Sequence, residues 1–293
     1  GNQGHSSEHI RLLKEWLDAG VIGPVEQVYA WTDRPVGGDP WSDFAVKAKS
    51  NETPLPPKGM DWDLWLGPVQ HRPYHSDYHP MKWRAWLDFG TGSLGDMGCH
   101  IIDPAFWALD LGHPETIEAT STHWEKAISS QTYPRASMVR YHFPARGDKP
   151  PVKLNWYDGR LLPPRPDGLP RDIKLPGSGA MLVGRDGVIL HGSHGAGGMQ
   201  VFPDSLKEKY RQVEETILRV KGGQQGHVQD WIRACKDGKP ASSTFEYGVA
   251  LTEAVLLGVL AIRAKDQKLY WDSKNYSFKN NDTANALLHP PYR

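Results

Sequence analysis

The stretch that says most about the fold is GSLGDMGCHIID, residues 92–103, which continues as PAFWALDL over residues 104–111. We predict a helix that starts after the glycines, and the small residues would let its first turns pack closely against another backbone segment. On such a helix Asp96 and His100, four residues apart, would share one face. The stretch therefore predicts a closely packed helix that presents a carboxylate and an imidazole side by side.

Asp96 and His100 are the first candidates for chemistry. A carboxylate beside an imidazole can orient the ring and raise its basicity, which suits a general base near neutral pH. The alternative is that Asp96 caps the helix and His100 is a buried histidine with its hydrogen bonds satisfied. The glycines on either side favour function, because they would let a ligand approach.

The segments around this helix indicate a mixed chain. Apolar residues at helical spacing, from Ile10 to Leu17, predict a first helix that Ser6 or Ser7 caps and Gly20 ends. β-branched and aromatic residues predict strands over residues 25–32, 116–124, 136–143, 152–157, 180–183 and 188–190. Later helices are predicted over residues 204–218, 227–236 and 245–265.

This order of segments predicts an α+β fold with an open, mainly antiparallel β-sheet and helices on one face. Asp186-Gly187 is a hairpin signal between the last two predicted strands. Long loops rich in Pro and Gly, over residues 33–58 and 158–176, separate other elements. Residues 275–293 are expected to form an arm on the surface or on a neighbouring subunit.

A second candidate site is the aromatic loop that precedes the helix. Its rings could stack on the apolar faces of a sugar, and its cationic and imidazole groups could bind hydroxyls, so we predict contacts with a polyol substrate. The residues are His75, Tyr78, His79, Lys82, Trp83 and Arg84. The alternative is a well-packed loop rich in Trp, and the sequence favours neither.

The same histidines raise the question of a metal. His75 and His79 form an H-x-x-x-H pair that Asp96 and His100 could complete. However, prolines bracket the pair, so it would not lie on one regular helix, and the H-E-x-x-H form is absent. We therefore predict no metal site.

Composition excludes some classes of protein. The 293 residues contain 34 Lys+Arg and 34 Asp+Glu, so we expect no nucleic-acid binding through bulk charge. The best apolar run, residues 255–262, is shorter than the roughly 18–20 residues of a membrane span, so no membrane partner is expected. Cys99 and Cys235 form neither a CxxC clip nor a disulfide framework.

Other glycine-rich stretches give no cofactor site. Residues 177–182, GSGAML, lack the third glycine of a dinucleotide fingerprint and precede strand-like residues, so a turn before a hairpin is favoured. Residues 192–198 are interpreted as a flexible loop rather than a phosphate-binding loop, because no Gly-Lys-Ser/Thr follows. The absence of a G-x-S-x-G elbow disfavours a serine hydrolase.

The motif of residues 92–103 resembles the signature of the Gfo/Idh/MocA oxidoreductases, which include glucose–fructose oxidoreductase and inositol dehydrogenase. Residues 62–68 (WDLWLGP), 72–75 (RPYH) and 179–184 (GAMLVG) are similar to the bacterial branch, whose C-terminal domain carries long insertions. The resemblance covers most of the chain.

The resemblance implies an activity. In that family an N-terminal Rossmann domain binds NAD or NADP, and a C-terminal α+β domain supplies the substrate site and an open sheet used for homo-oligomerisation. Asp96 and His100 match the Asp and His of the signature. His100 would take the proton from a sugar or polyol hydroxyl while hydride moves to the nicotinamide, and Asp96 would hold His100 or a neighbouring hydroxyl. We further expect Tyr157 at the substrate, and Asn2, Gln3 and His5 at the cofactor.

The sequence also departs from the family. The Rossmann domain would precede Gly1, and the family's Glu-Lys-Pro motif is missing. We therefore expect residues 1–24 to be a helix that follows the dinucleotide-binding domain, and residues 25–293 to form a substrate-binding and oligomerisation domain with long loops. Two alternatives stay open, a non-enzymatic carbohydrate-binding or assembly module and a metal-dependent hydrolase. The sequence does not decide between a cytoplasmic and an exported location.

Overall fold

A mixed β-sheet organises the part of the chain that the computed structural model describes, residues 1–35, 54–122, 130–265, 267–291 and 293. Its nine strands are β1 (Val25–Trp31), β2 (Thr116–Ser121), β3 (Ser137–Phe143), β4 (Val152–Tyr157), β5 (Gly179–Gly184), β6 (Val188–Gly192), β7 (Gln200–Phe202), β8 (Lys268–Asp272) and β9 (Ser277–Phe278). They lie in the order β7-β6-β5-β1-β4-β3-β2-β8-β9. Among these strands only β1 and β4 pair in parallel. The predicted open, mainly antiparallel sheet is confirmed.

The helices of the described residues lie before, between and after these strands. They are α1 (Glu8–Asp18), α2 (Trp62–Leu66), α3 (Gly92–Ile101), α4 (Asp103–Ala108), α5 (Lys207–Arg211), α6 (His227–Asp237), α7 (Phe245–Ala264) and α8 (Asp282–Ala286). Short 3-10 turns occur at Gln3–Ser6, Lys82–Ala85, Asp204–Leu206 and Gly223–Gly226. Helix α7 packs on α3 and lies against β2 and β3, so the predicted α+β class is confirmed.

Alternation along the strands divides the buried side chains between two faces. On the helix face, Val139 and Tyr141 of β3 join the helices in the main core. On the outer face, Trp31 and Tyr157 pack with Leu169, which belongs to the loop after β4. Oligomerisation through the sheet, which the family resemblance implies, stays a prediction.

The first 24 residues share the core of the sheet. Helix α1 begins after Ser7, whose hydroxyl accepts a hydrogen bond from the His9 N–H at 3.2 Å, as a capping side chain does. Ile10, Leu13 and Val21 are fully buried in the main core. This segment is therefore packed into the fold rather than appended to it.

Two segments differ from the predictions for physical reasons. The predicted helix over residues 204–218 ends early, with α5, and the N–H groups of Thr216 and Ile217 donate instead to Glu15 Oε1, both at 2.8 Å. Residues 275–293 are not only a surface arm, because Phe278 and Ala284 are buried in the main core. Residues 36–53 of a predicted loop and 123–124 of a predicted strand lie outside the described residues.

Helix α7 corrects the sequence argument about membranes. Its 20 residues are long and apolar enough to cross a bilayer by length and composition, which the run over residues 255–262 alone did not indicate. Half of the helix is buried inside the fold, including Leu251, Val255 and Leu257. The helix packs against α3, β2 and β3.

Candidate functional site

Helix α3 carries the candidate catalytic residues, and its glycines allow it to pack closely. The helix includes the glycines rather than starting after them. Gly92 has a φ of +67°, and a Cβ there would lie 2.7 Å from Tyr133 Cγ, so glycine fits this position best. A Cβ at Gly98 would already lie 3.1 Å from Val255 Cγ2 of α7. The glycines hold α3 close to its neighbours.

Asp96 and His100 lie one turn apart on α3. Asp96 does not cap the helix, because the capping position is Thr91. Its Oδ1 lies 3.5 Å from Arg84 Nε, in an ion pair that is about three-quarters buried. In the described part of the chain no hydrogen bond joins Asp96 to His100, and the carboxylate acts on the imidazole through charge, raising its pKa.

His100 is held as a neutral imidazole. Its pKa is lowered from 6.5 to about 4, mainly by burial and also by the neighbouring His194, against the opposing charges of Asp96 and Asp103. Its Nδ1 is buried and has no hydrogen-bond partner among the described residues. At neutral pH the ring is therefore in the form that can accept a proton.

His194 is the residue that sequence reasoning missed. It lies in the loop after β6, interpreted from sequence only as a flexible glycine-rich loop, and its ring stacks on His100 with centroids 4.1 Å apart. Its Nδ1 lies 2.8 Å from Ser193 Oγ. A histidine among glycines directly after a predicted strand was the available signal.

The aromatic loop proves to be partly a packed cluster. Tyr78 is only 4% exposed and contacts Trp62, Trp65 and Trp86. The Arg72 guanidinium lies 4.8 Å from the centroid of the Tyr78 ring. Tyr78 therefore lies in a well-packed cluster of aromatic side chains.

Two other residues of this loop converge on a buried carboxylate. Asp77, which the sequence analysis did not single out, is 1% exposed and accepts a hydrogen bond from Lys82 Nζ at 2.8 Å. The His75 Nδ1 accepts a hydrogen bond from the Asp77 N–H at 3.2 Å. Lys82 and His75 therefore have protein partners already, and His79, which is half-buried, precedes Pro80 at the rim of the loop.

Arg84 connects the loop to α3. Besides its ion pair with Asp96, its guanidinium lies over the Trp83 ring, 5.0 Å from the centroid. Trp83 is 37% exposed. Among the residues of the loop, Arg84 contacts the candidate catalytic helix, and Trp83 beside it keeps part of its ring exposed to solvent.

Tyr157 does not join this group. It lies on the outer face of the sheet, 9% exposed, in the cluster with Trp31 and Met181. His100 projects from α3, which packs on the helix face. For Tyr157, a substrate contact stays a prediction.

The N-terminal residues predicted at a cofactor divide into two kinds. His5 is fully buried, with Nδ1 2.9 Å from Asp103 Oδ1, and Tyr247 also donates its hydroxyl proton to Asp103. The His5 side chain is thus buried and bound to Asp103 of α4. Asn2 is half-buried and its Nδ2 donates to Ser243 Oγ at 3.2 Å; for Asn2 and the neighbouring Gln3, a cofactor contact stays a prediction.

The described residues do not form a dinucleotide-binding unit. Such a unit needs parallel strands joined by a helix, with a glycine-rich turn at the helix N-terminus. Here the one parallel pair of described strands, β1 and β4, is separated in sequence by β2 and β3, and Gly179 opens a hairpin strand. Nor do the described residues bring three or more His, Cys, Asp or Glu side chains together as a metal site.

Comparison with solved structures gives the fold. The aldose-aldose oxidoreductase from Caulobacter crescentus, solved with glycerol, is 11% identical, with a TM-score of 0.51 over 92% of this chain and 63% of that chain. An NAD binding oxidoreductase from Klebsiella pneumoniae is 12% identical, with a TM-score of 0.51 over 92% of this chain and 65% of that one. The chain thus spans less than two thirds of the length of these relatives. No curated protein matches the sequence.

A family model also matches the sequence. It is described as the C-terminal alpha/beta domain of an oxidoreductase family, and the match covers residues 7–139. That range contains α1, β1, the aromatic loop and the whole of α3, with Asp96 and His100. Membership of the bacterial branch stays a prediction. Over residues 7–139 the sequence is thus similar to the C-terminal α/β domain of the Gfo/Idh/MocA oxidoreductases.

Proposed function

We propose that this domain is the substrate-binding and catalytic part of an NAD(P)-dependent oxidoreductase that acts on the CH–OH group of a sugar or polyol. The observation that carries the proposal is the neutral His100 on α3, beside Asp96. The aldose in the name of the Caulobacter enzyme supports the substrate class, and the name of the Klebsiella protein supports the cofactor class.

His100 has the properties that proton abstraction from an alcohol needs. Oxidation of a carbinol releases the hydroxyl proton, and an uncharged imidazole can accept it. Burial keeps His100 neutral at pH 7, in the proton-accepting form, but the lowered pKa also makes it a weaker base, so the imidazolium needs stabilisation in the transition state. The imidazolium that results would be stabilised by the carboxylates of Asp96 and Asp103, both of which favour the charged ring.

Asp96 and Arg84 form the second part of the site. The ion pair ties the aromatic loop to α3, so both would move together if the loop adjusted to a ligand. Trp83 offers an exposed ring beside them, and an aromatic face of this kind suits the apolar face of a sugar ring. His75, His79 and Lys82 remain proposed substrate contacts of the same loop.

The proposal assigns the nicotinamide cofactor to a nucleotide-binding domain, on the same or another chain. It follows that the chain of 293 residues should not bind NADH by itself. Energy transfer from its 12 Trp residues to bound nicotinamide would detect binding directly. Tight binding would contradict this assignment and place the cofactor on these 293 residues.

The test of the catalytic role is His100→Ala, assayed as NAD(P)H formation from a panel of aldoses and polyols with the nucleotide-binding domain supplied. We expect kcat to fall about 10²–10⁴-fold, as for loss of a general base, with unchanged NADH affinity. His113→Ala is the matched control, since His113 pairs with Glu253 at 2.8 Å on the surface. Turnover of His100→Ala within threefold of the control would refute the role of His100.

The same panel addresses the non-enzymatic alternative. A carbohydrate-binding module would bind a sugar, detected by titration calorimetry, yet would form no NAD(P)H with any donor even when the nucleotide-binding domain is present. The absence of a dinucleotide-binding unit among the described residues is the observation that favours this alternative.

A further inference from the structure

The loop after β6 brings a second imidazole onto the candidate base. His194 lies 94 residues after His100 in sequence (100 to 194), and their rings stack with centroids 4.1 Å apart at an angle of 24°. Both side chains are partly buried, and the contact involves a whole ring face rather than an edge. The two rings therefore form a partly buried stack within the site.

The backbone of this loop is held in an unusual conformation. His194 has a φ of +56° and Ala196 a φ of +60°, in the left-handed region that non-glycine residues rarely adopt. Packing holds it there: Ala196 is fully buried, and the Gly192 N–H donates to Gly197 O at 2.9 Å. A backbone kept in this region by its surroundings is a reason to look for a function of the residue that it displays.

The N-terminal turn closes on the same loop. A Cβ on Gly4 would lie 2.6 Å from Gly195 N and 2.8 Å from the carbonyl carbon of His194, and a Cβ on Gly195 would lie 2.6 Å from Gly4 O. Two backbones this close leave no room for a side chain at either glycine. The turn Gln3–Ser6 therefore acts as a clamp that fixes the position of the His194 ring over His100.

The charges around the stack come from several elements. Facing His100 are His194, Asp96 of α3 and Asp103 of α4. Facing His194 are Arg34, after β1, and Asp96. Burial and the charge of Arg34 lower the pKa of His194. Burial and the neighbouring His194 lower the pKa of His100 in the same way. Two stacked imidazoles would repel each other if both were protonated.

We propose that His194 is a positioning residue for His100, whose stacked ring fixes the plane of the catalytic imidazole and keeps it uncharged. This inference rests on the proposed function of His100, but its physical content concerns only two side chains of this chain. It can therefore be tested without cofactor, substrate or turnover.

The test is NMR titration of the imidazole C–H signals of the chain, with the His100 signal assigned from its loss in His100→Ala. His194→Asn removes the ring and keeps a residue that tolerates a positive φ. We expect the proton affinity of His100 to rise at least about tenfold, one pH unit, because stacking, burial and a like charge are removed together. His142→Asn, on an exposed histidine of β3, is the control and should leave His100 unchanged.

A second variant protects the test from a failure of folding. His194→Phe keeps a stacked ring without a charge, so the His100 proton affinity should rise by less than in His194→Asn. If His194→Asn folds and the His100 titration is unchanged, the proposal is overturned. If His194→Asn does not fold, an unchanged His100 titration in His194→Phe has the same meaning. A shifted titration together with normal turnover in His100→Ala would support the stack and refute the catalytic role, so the two ideas fail separately.

Discussion

Two glycines in α7 allow a controlled test of how closely this helix approaches the sheet. A Cβ at Gly258 would lie 1.8 Å from Tyr141 Oη and 2.7 Å from Leu94 Cδ2, whereas a Cβ at Gly248 would meet nothing within 4 Å. Both glycines lie inside the same helix, so replacement by Ala should give each the same gain in helix propensity, about 1 kcal/mol. The two substitutions therefore differ in packing alone.

The size of the difference follows from the neighbours. Tyr141 is 2% exposed and Leu94 is fully buried, so neither side chain has room to yield. Overpacking of this kind costs about 3 kcal/mol at the upper end of its usual range. We expect Gly248→Ala to raise the free energy of unfolding by about 1 kcal/mol and Gly258→Ala to lower it by about 2 kcal/mol.

Urea denaturation followed by Trp fluorescence would measure both, with the midpoints compared at equal slopes. Tyr141→Phe provides the internal control, because it removes the atom nearest to the added methyl group and its hydroxyl has no hydrogen-bond partner among the described residues. The combination Gly258→Ala/Tyr141→Phe should recover part of the loss, because Leu94 Cδ2 and Tyr141 Cζ still lie 2.7 Å from the added methyl group, and a double-mutant cycle would reveal this recovery as coupling. Equal stability of Gly248→Ala and Gly258→Ala would refute the close approach of α7 to β3.

Two buried titratable groups give opposite pH dependences of stability. Burial raises the pKa of Asp158 from 3.8 to about 7. The folded state therefore binds this proton more tightly than the unfolded state does. As the proton is lost between pH 5.5 and 8.5, the free energy of unfolding of the wild type should fall by about 2 kcal/mol relative to that of Asp158→Asn. Burial lowers the pKa of His191 from 6.5 to about 4. The stabilising contribution of the neutral ring is complete above pH 6.5 and is lost as the pH falls, because the unfolded state then binds the proton first. Down to pH 4, the free energy of unfolding of the wild type should fall by about 3 kcal/mol relative to that of His191→Gln. Chemical denaturation across this range checks both, and parallel pH profiles of wild type and variant would count against either assignment.

The sequence was sufficient where local rules decide the structure. The cap at Ser7, the hairpin around Gly187 and the strand predicted over residues 136–143 depend on neighbours within a few residues, and each lies where it was predicted. The Asp96 and His100 pair also depends only on the pitch of one helix.

Long-range packing decided the rest. Helix α5 ends at Arg211, and a few residues later the backbone N–H groups of Thr216 and Ile217 donate to Glu15, some 200 residues away. Tyr78 lies in a core that Trp62 and Trp86 complete, which the loop sequence alone does not specify. The His100–His194 stack depends on where β6 lies in the sheet relative to α3, and no local pattern encodes that distance.

The place of β1 in the sheet has a consequence for synthesis on the ribosome. β1 lies between β4 and β5, with Gln27 opposite Lys153, 126 residues later (27 to 153). At about 5–20 residues per second, roughly 6–25 seconds pass before its first partner strand has been made. During that time a strand with the apolar residues Val28 and Trp31 has both edges unpaired. The nascent chain should therefore depend on chaperones through this interval, and slowing translation between β1 and β4 should increase aggregation more than slowing it after β5.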